Sequence, residues 1–164
     1  MAQRINPSII ELAVLALWLG AAGFMSVAVA PALFAVLPNR ALAGAVVGRL
    51  LPAVFYSGMA IGLAVIAMQV ATRRAWGGRA LSALAMIVAC AVAQLFVAPR
   101  IERIRSAIAG PIEDLPLDDA RRLAFGRLHG ISVAWLGMAM LAAVVAMVLS
   151  ARSLQSDSDF IIQK

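Results

Sequence analysis

Four long stretches without a charged side chain constrain this sequence more than any motif does. They cover residues 12–39, 50–72, 80–99 and 130–151, and the charged residues lie between them and at the two ends of the chain. A helix needs about 20 mostly apolar residues to cross the hydrocarbon core of a bilayer. Each stretch is long enough, so the sequence predicts a chain that crosses a membrane four times.

Composition supports the same conclusion. Hydrophobic residues make up 63% of the chain, whereas soluble domains have about 45–50%, and too little polar surface remains to cover such a core. Strands of a membrane barrel alternate apolar and polar residues over about 10 positions, but these stretches are apolar on every side. We therefore predict an all-α, polytopic membrane protein with one four-helix transmembrane bundle. The expected spans are about 9–37, 50–72, 80–99 and 128–150, followed by a flexible polar tail at 153–164.

Four spans place both chain ends on one side of the membrane, here called side A, and the opposite side is side B. Six basic residues fall on side A and eight on side B, so the positive-inside rule does not decide the orientation. The dense basic turn at 73–79 favours cytoplasmic termini, in a bacterial inner (plasma) membrane. The net charge is +6. Because the arginines lie at helix ends, we expect membrane lipids rather than nucleic acid as their partners.

Two short signatures occur in the same order in both halves of the chain. Val-Ala-Pro ends the first and third spans at 29–31 and 97–99, and Gly-Arg-Leu opens the second and fourth at 48–50 and 126–128. This order suggests a duplicated helical hairpin, with the halves related by a pseudo-two-fold axis along the membrane normal. Pro31 is expected to kink or end the first helix, because proline has no amide N–H to donate.

Small residues spaced four apart mark candidate helix contacts. Gly58 and Gly62 lie in the second span, and Gly126 and Gly130 lie at the start of the fourth. This spacing lets helix backbones approach closely. We predict these four glycines as helix-packing positions.

Polar groups at the ends of the spans concentrate on side B. Packing four helices side by side would bring them together, and polar groups inside a membrane protein face the bundle interior and find partners there. The predicted polar or ligand cluster consists of His129, Gln94, Arg49, Arg127, Arg100 and Glu102.

His129, the single histidine of the chain, leaves four alternatives open. It could ligate haem with a methionine partner, or a metal with other ligands at helical spacing. It could form a proton or ligand site with Gln94 and the arginines. In the fourth alternative it is a structural residue that hydrogen-bonds a neighbouring helix or loop. We expect no cofactor, with haem at His129 as the minor alternative.

No pattern indicates catalysis. The serines of the spans have no carboxylate nearby in sequence, and the acids between 113 and 119 lie in a polar loop where they cap helices and balance charge. There is no phosphate-binding loop and no dinucleotide fingerprint. We therefore predict that the protein is not an enzyme.

Several side B segments resemble the TMEM205-like family, also called the DUF4149 family of small four-helix membrane proteins. The most specific element is Phe125 to Ser132, with the order Leu-His-Gly-x-Ser. Weaker elements are Ala-Pro-x-Leu-Phe at 30–34 and the helix end at 98–105. The resemblance covers about residues 10–150 and implies the four-helix fold. Trp135-Leu136-Gly137 stands where the family pattern has an asparagine, so His129 lacks that polar partner. The drug resistance associated with eukaryotic relatives implies transport or trafficking.

Two functions from different classes follow. The first is a non-enzymatic structural or accessory subunit that acts through helix–helix contacts in a homo-oligomer or a larger membrane complex. The second is a small oligomeric transporter or permeation unit with its site at His129, Gln94, Arg49 and Arg127. The second requires a polar, water-accessible cavity at the cluster, whereas the first predicts a sealed and internally hydrogen-bonded cluster.

Overall fold

The computed structural model describes residues 6–72, 77–108 and 110–162, with side chains described to residue 155. Every regular element in these ranges is helical. The elements are α1 (Pro7–Phe24), a π-helical turn (Met25–Val29), α2 (Ala30–Val36), α3 (Arg40–Ala71), α4 (Gly78–Ala91), a second π-helical turn (Val92–Val97), α5 (Ala98–Ser106), a 3-10 turn (Ile112–Asp114) and α6 (Ala120–Ile162).

These elements make four spans long and apolar enough to cross a membrane: Pro7–Val36, Arg40–Ala71, Gly78–Ser106 and Ala120–Gln155. The predicted all-α four-helix membrane bundle is confirmed. Consecutive spans pack side by side, and the fourth also packs against the first. The bundle is therefore a closed ring of antiparallel neighbours.

The helix ends follow from local hydrogen bonds. The Asn6 side chain accepts a bond from the Ser8 amide at 3.0 Å, with Pro7 at the first helical position, as expected for a capped start. Before α6, the Asp119 carboxylate accepts bonds from the Arg121 amide at 2.8 Å and from its guanidinium. These bonds lower the pKa of Asp119 to about 2.

The helices differ from the predicted spans mainly on side B. α3 begins at Arg40, where the Asn39 side chain accepts from the Leu42 amide, so Pro52 lies well inside a helix and not in its first turn. α5 directly continues the third span, which therefore reaches Ser106 and not only residue 99. At the other end, α6 continues past Arg152, so the tail predicted to be flexible is helical over its described part.

Pro31 does not end the first helix, because α2 continues through it to Val36. The departure from α geometry lies in the π-helical turn immediately before Ala30. The third span repeats this arrangement, with a π-helical turn that ends just before Ala98-Pro99. A wider turn accommodates a proline that cannot donate to the preceding turn. Both Val-Ala-Pro signatures thus mark the same local structure, and the duplication stays a prediction.

Gly58 and Gly62 lie where α3 meets its neighbours most closely. Both are buried, and a Cβ built on Gly58 would lie 2.7 Å from the Cys90 Sγ and 2.9 Å from the Trp18 ring. A Cβ on Gly62 would lie 2.6 Å from the Ile87 side chain. The Trp18 indole N–H donates to the Val54 carbonyl at 2.9 Å, which fixes the ring beside this contact.

Gly126 and Gly130 are exposed instead, and a Cβ on either would meet no heavy atom within 4 Å. Their prediction as packing positions is wrong for contacts inside the described chain, because their face of α6 points away from the bundle. The basic turn at 73–76 lies outside the described residues, as do Arg4 and Lys164. The charge pattern of side A therefore stays a prediction from the sequence.

We expect Gly58→Ala to lower the free energy of unfolding by about 1–3 kcal/mol, the usual cost of overpacking a close contact. Gly126→Ala is the matched control, because its new methyl group meets no atom within 4 Å and alanine favours helix by about 1 kcal/mol. Thermal unfolding in a mild detergent measures both. Equal stability of the two variants would contradict the close packing at Gly58.

Candidate functional site

A cavity of about 670 Å³ opens at the side B end of the bundle. Its walls come from all four spans and from the loop before α6. The lining segments are Phe34, residues 40–55, residues 94–105, residues 110–113 and residues 125–136.

Three of the six predicted cluster residues line this cavity: Gln94, Glu102 and His129. Arg49, Arg100 and Arg127 do not line it, and all three are exposed. The Arg100 guanidinium donates to the Phe96 carbonyl of its own helix at 2.7 Å. The structure thus brings together half of the predicted cluster.

Arg105 is the charged group that sequence reasoning left out of the cluster. Its side chain is half-buried and crosses from α5 to α3, where Nη1 donates to the Gly44 carbonyl at 3.3 Å. Its guanidinium carbon also lies 5.4 Å from the centre of the Phe125 ring. A second arginine, Arg40, lines the cavity and stacks on Phe34 with its guanidinium carbon 5.3 Å from the ring centre.

Gly44 and Gly48 leave the space that Arg105 occupies. A Cβ on Gly44 would lie 2.8 Å from Nη2 of Arg105, and one on Gly48 would lie 3.2 Å from Nη1. The four-residue spacing of these glycines was the available sequence signal. At this position the space beside the two glycines holds the Arg105 side chain and not a second helix.

Gln94 contributes a polar group to an otherwise apolar part of the cavity. It lies in the π-helical turn of the third span, five residues before Pro99, and its Oε1 is buried without a hydrogen-bond partner among the described residues. An unsatisfied buried amide atom costs about 1–3 kcal/mol. This oxygen of the predicted cluster therefore makes no internal hydrogen bond within the described part of the chain.

His129 is exposed at the cavity wall and stacks on Phe125, with ring centres 6.2 Å apart and planes 10° apart. No group of three His, Cys, Asp or Glu side chains suited to a metal occurs among the described residues. His129 therefore lies on the cavity wall, and its four alternative roles stay predictions.

The loop before α6 closes one edge of the cavity. Gly110, Pro111, Ile112 and Glu113 line it, and Arg122 fixes this loop by donating from Nη1 to the Glu113 carbonyl at 3.0 Å and to the Leu115 carbonyl. The acids of the loop were predicted to cap and balance charge. Asp119 does so, whereas Glu113 faces the cavity.

Side A has a different polar cluster, which centres on the buried Glu11. The Ser150 hydroxyl donates to its Oε2 at 2.9 Å, and Nη1 of Arg79 lies 3.7 Å from the same oxygen. Arg79 also donates to the Ser153 hydroxyl at 3.2 Å. The cluster joins the first, third and fourth spans at the end opposite the cavity.

Glu11 lies in the second turn of α1, yet it is only 1% exposed. Helical spacing was the available signal, because Glu11 shares one face of α1 with the buried Leu15, Trp18 and Ala22. Within a membrane span, an acid on the core face needs partners from other helices.

Comparison with known families supports part of the resemblance seen in the sequence. The family model described as "Domain of unknown function (DUF4149)" matches residues 13–109, more than half of the chain. No curated protein and no solved structure matches the chain. The matched region contains Gln94, Glu102 and Arg105, whereas His129 lies beyond it.

We expect Glu11→Ala to lower the free energy of unfolding by about 2 kcal/mol, because it removes a charged acceptor from Ser150 and the counter-ion of Arg79. Glu11→Gln should cost less, since an amide oxygen still accepts from Ser150. Glu113→Ala, at an exposed position, is the control. Unfolding in mild detergent measures all three, and a Glu11→Ala protein as stable as the control would contradict this role.

We expect Gln94→Leu to raise the free energy of unfolding by about 1 kcal/mol, because it removes an unsatisfied amide from an apolar environment. Gln69→Leu is the matched comparison, since the Gln69 Nε2 is also buried without a partner in the described part of the chain, away from the cavity lining. A loss of stability in Gln94→Leu would show that the amide holds the bundle together.

Proposed function

The chain belongs to the DUF4149 family, and we propose that it is a small membrane transporter or permeation unit that takes a small molecule into the side B cavity. One observation carries the proposal. The polar groups of side B line an open cavity of about 670 Å³, within the range of about 300–1,000 Å³ typical of ligand sites. A subunit that acts only through packing has no use for such a cavity.

The composition of the walls supports binding of an organic molecule. Apolar side chains such as Leu51, Phe55 and Leu136 form much of the lining, and a few polar groups lie among them. Ligand sites combine an apolar wall with a small number of placed polar groups. The cavity wall at Gln94 is also a π-helical turn, a feature found frequently at functional sites.

The remainder of the bundle opposes an open pore through a single chain. Phe55 and Leu136 lie at the inner end of the cavity and belong to the same packed core as Trp18 and Met86. Beyond this core, the Glu11 cluster closes side A. Passage across the membrane therefore requires a rearrangement of the spans or a path between copies in an oligomer.

A second function, an accessory subunit of an oligomer or larger complex, is favoured by a separate observation. Gly126, Gly130 and Gly137 all lie on α6 and are exposed, and a Cβ added to any of them would meet no heavy atom within 4 Å. A helix face of this kind allows another helix to approach closely. Such a contact is also compatible with an oligomeric transporter.

The test is to purify the protein from its native membrane in a mild neutral detergent and to identify bound small molecules by mass spectrometry. We expect a molecule that co-purifies with the wild type and is lost in Ser132→Phe or Val47→Phe, two variants that fill the cavity. Val144→Phe, on the exposed face of α6, is the control and should retain it.

The molecule found is then tested for flux in liposomes that contain the protein. Flux that disappears in the cavity-filling variants supports transport. Binding without flux, together with a stoichiometric partner protein, would replace the transporter with the accessory subunit. The absence of any molecule or flux that depends on the cavity would overturn the proposal.

A further inference from the structure

We infer that the side B cavity binds an anionic amphiphile, with its carboxylate or phosphate headgroup on Arg105 and its alkyl chain against the apolar inner wall. This inference rests on the proposed function and names the class of molecule that the cavity takes. The observation behind this inference is the Arg105 guanidinium, which lies against Gly44 and Gly48.

Arg105 is a cation in need of a partner. Guanidinium has five N–H donors, and toward the described residues one of them is used, in a 3.3 Å bond to the Gly44 carbonyl. No carboxylate of the described residues lies within 4 Å of it, since the ion pairs in this part of the chain are Arg79–Glu11 and Arg121–Asp119. A half-buried cation without a counter-ion favours an anion in the adjacent cavity.

The two carboxylates of the cavity do not neutralise this charge. Glu102 and Glu113 are both exposed, so water solvates and screens them more than it does Arg105. Arg40 also lines the cavity but is exposed like the two carboxylates, so Arg105 is the half-buried charge. The less exposed part of the cavity therefore has a positive charge, that of Arg105, without a carboxylate beside it among the described residues.

The position of Arg105 is fixed by the helix that it contacts. The guanidinium lies on the Gly44–Gly48 surface of α3 and over the Phe125 ring of α6, so three spans hold it in place. A planar guanidinium held in this way presents paired donors to a carboxylate or phosphate. Preorganisation of this kind lowers the cost of binding.

The inner wall suits an alkyl chain. Leu51, Pro52, Phe55, Val133 and Leu136 line it, and Phe55 and Leu136 are also part of the packed core. An alkyl chain gains about 0.8 kcal/mol for each CH₂ group removed from water. The cavity thus has a cation at its side B end and an apolar inner end. This arrangement fits an amphiphile that enters from the membrane surface with its alkyl chain first.

The experiment is native mass spectrometry of the full chain in a neutral detergent, titrated with three ligands of equal chain length. These are dodecyl phosphate, dodecyltrimethylammonium and dodecyl maltoside. We expect a one-to-one complex with dodecyl phosphate at least about tenfold tighter than with the other two, as a charge-assisted hydrogen bond implies. A titration with phosphatidylglycerol then separates a membrane phospholipid from a single-chain anion as the source of the headgroup.

Three variants locate the headgroup. Arg105→Gln keeps N–H donors and removes the charge, and should weaken dodecyl phosphate binding about tenfold or more. Gly44→Ala keeps the charge but displaces the guanidinium, because its methyl group would lie 2.8 Å from Nη2, and should also weaken binding. Gly126→Ala, with nothing within 4 Å of its new methyl group, should leave binding unchanged.

The outcomes separate this inference from the proposed function. If all three ligands bind equally and Val47→Phe removes them, the cavity binds small molecules but the anionic class is wrong. If Arg105→Gln leaves dodecyl phosphate binding unchanged, the assignment of the headgroup to Arg105 is overturned. If no ligand binds, or if Val47→Phe has no effect on binding, both the inference and the proposed function fail.

Discussion

The close approach of α3 to α1 and α4 at Gly58 and Gly62 determines how the four spans can pack. The missing Cβ atoms let Trp18, Ile87 and Cys90 fill the space beside α3, and the Trp18 indole bonds to the backbone of the same helix. In a bilayer, close packing and interhelical hydrogen bonds hold helices together, because lipid chains are as apolar as the helices themselves. The middle of the bundle is therefore tight, and the two ends are free to differ.

The two ends do differ, in a way that matches a site with one entrance. On side A, Glu11, Arg79 and Ser150 join three spans in a buried polar cluster. On side B, three prolines lie within helices at positions 31, 52 and 99, and two of them follow π-helical turns. The space between the side B ends of the spans is the cavity.

The sequence was sufficient to predict the four-helix architecture, because a bilayer allows few other structures for such a chain. Uncharged stretches of about 20 residues have few alternatives in a membrane, so the all-α four-span prediction is confirmed. The Val-Ala-Pro signatures also identified two equivalent positions, although the π-helical turns before them could not be read from residue types. The helical continuation of α3 back to Arg40 was missed, because the prediction used hydrophobicity to mark the helix start at residue 50, and the Asn39 cap lies eleven residues earlier.

The site was predicted less well, because linear position does not say which face of a helix a residue occupies. Gln94, Glu102 and His129 line the cavity, whereas Arg49, Arg100 and Arg127 point away from it. Arg105 was missed because its role depends on Gly44 and Gly48, 57 to 61 residues earlier in the chain. Such a contact between distant segments has no local signature beyond the spacing of the two glycines. The same holds for Glu11, whose partners Arg79 and Ser150 come from other spans.

The most direct test of the account is whether water reaches the side B cavity but not the core beneath it. Cys90, the single cysteine of the chain, has no exposed surface, so the wild-type protein in liposomes should not react with a charged, water-soluble thiol reagent. Ser132→Cys introduces a thiol at the cavity wall, and Ala143→Cys introduces one in the packed core. The account predicts rapid labelling of Ser132→Cys and none of Ala143→Cys. A Ser132→Cys protein as unreactive as the wild type would mean that the side B end is sealed, which would contradict a ligand site there.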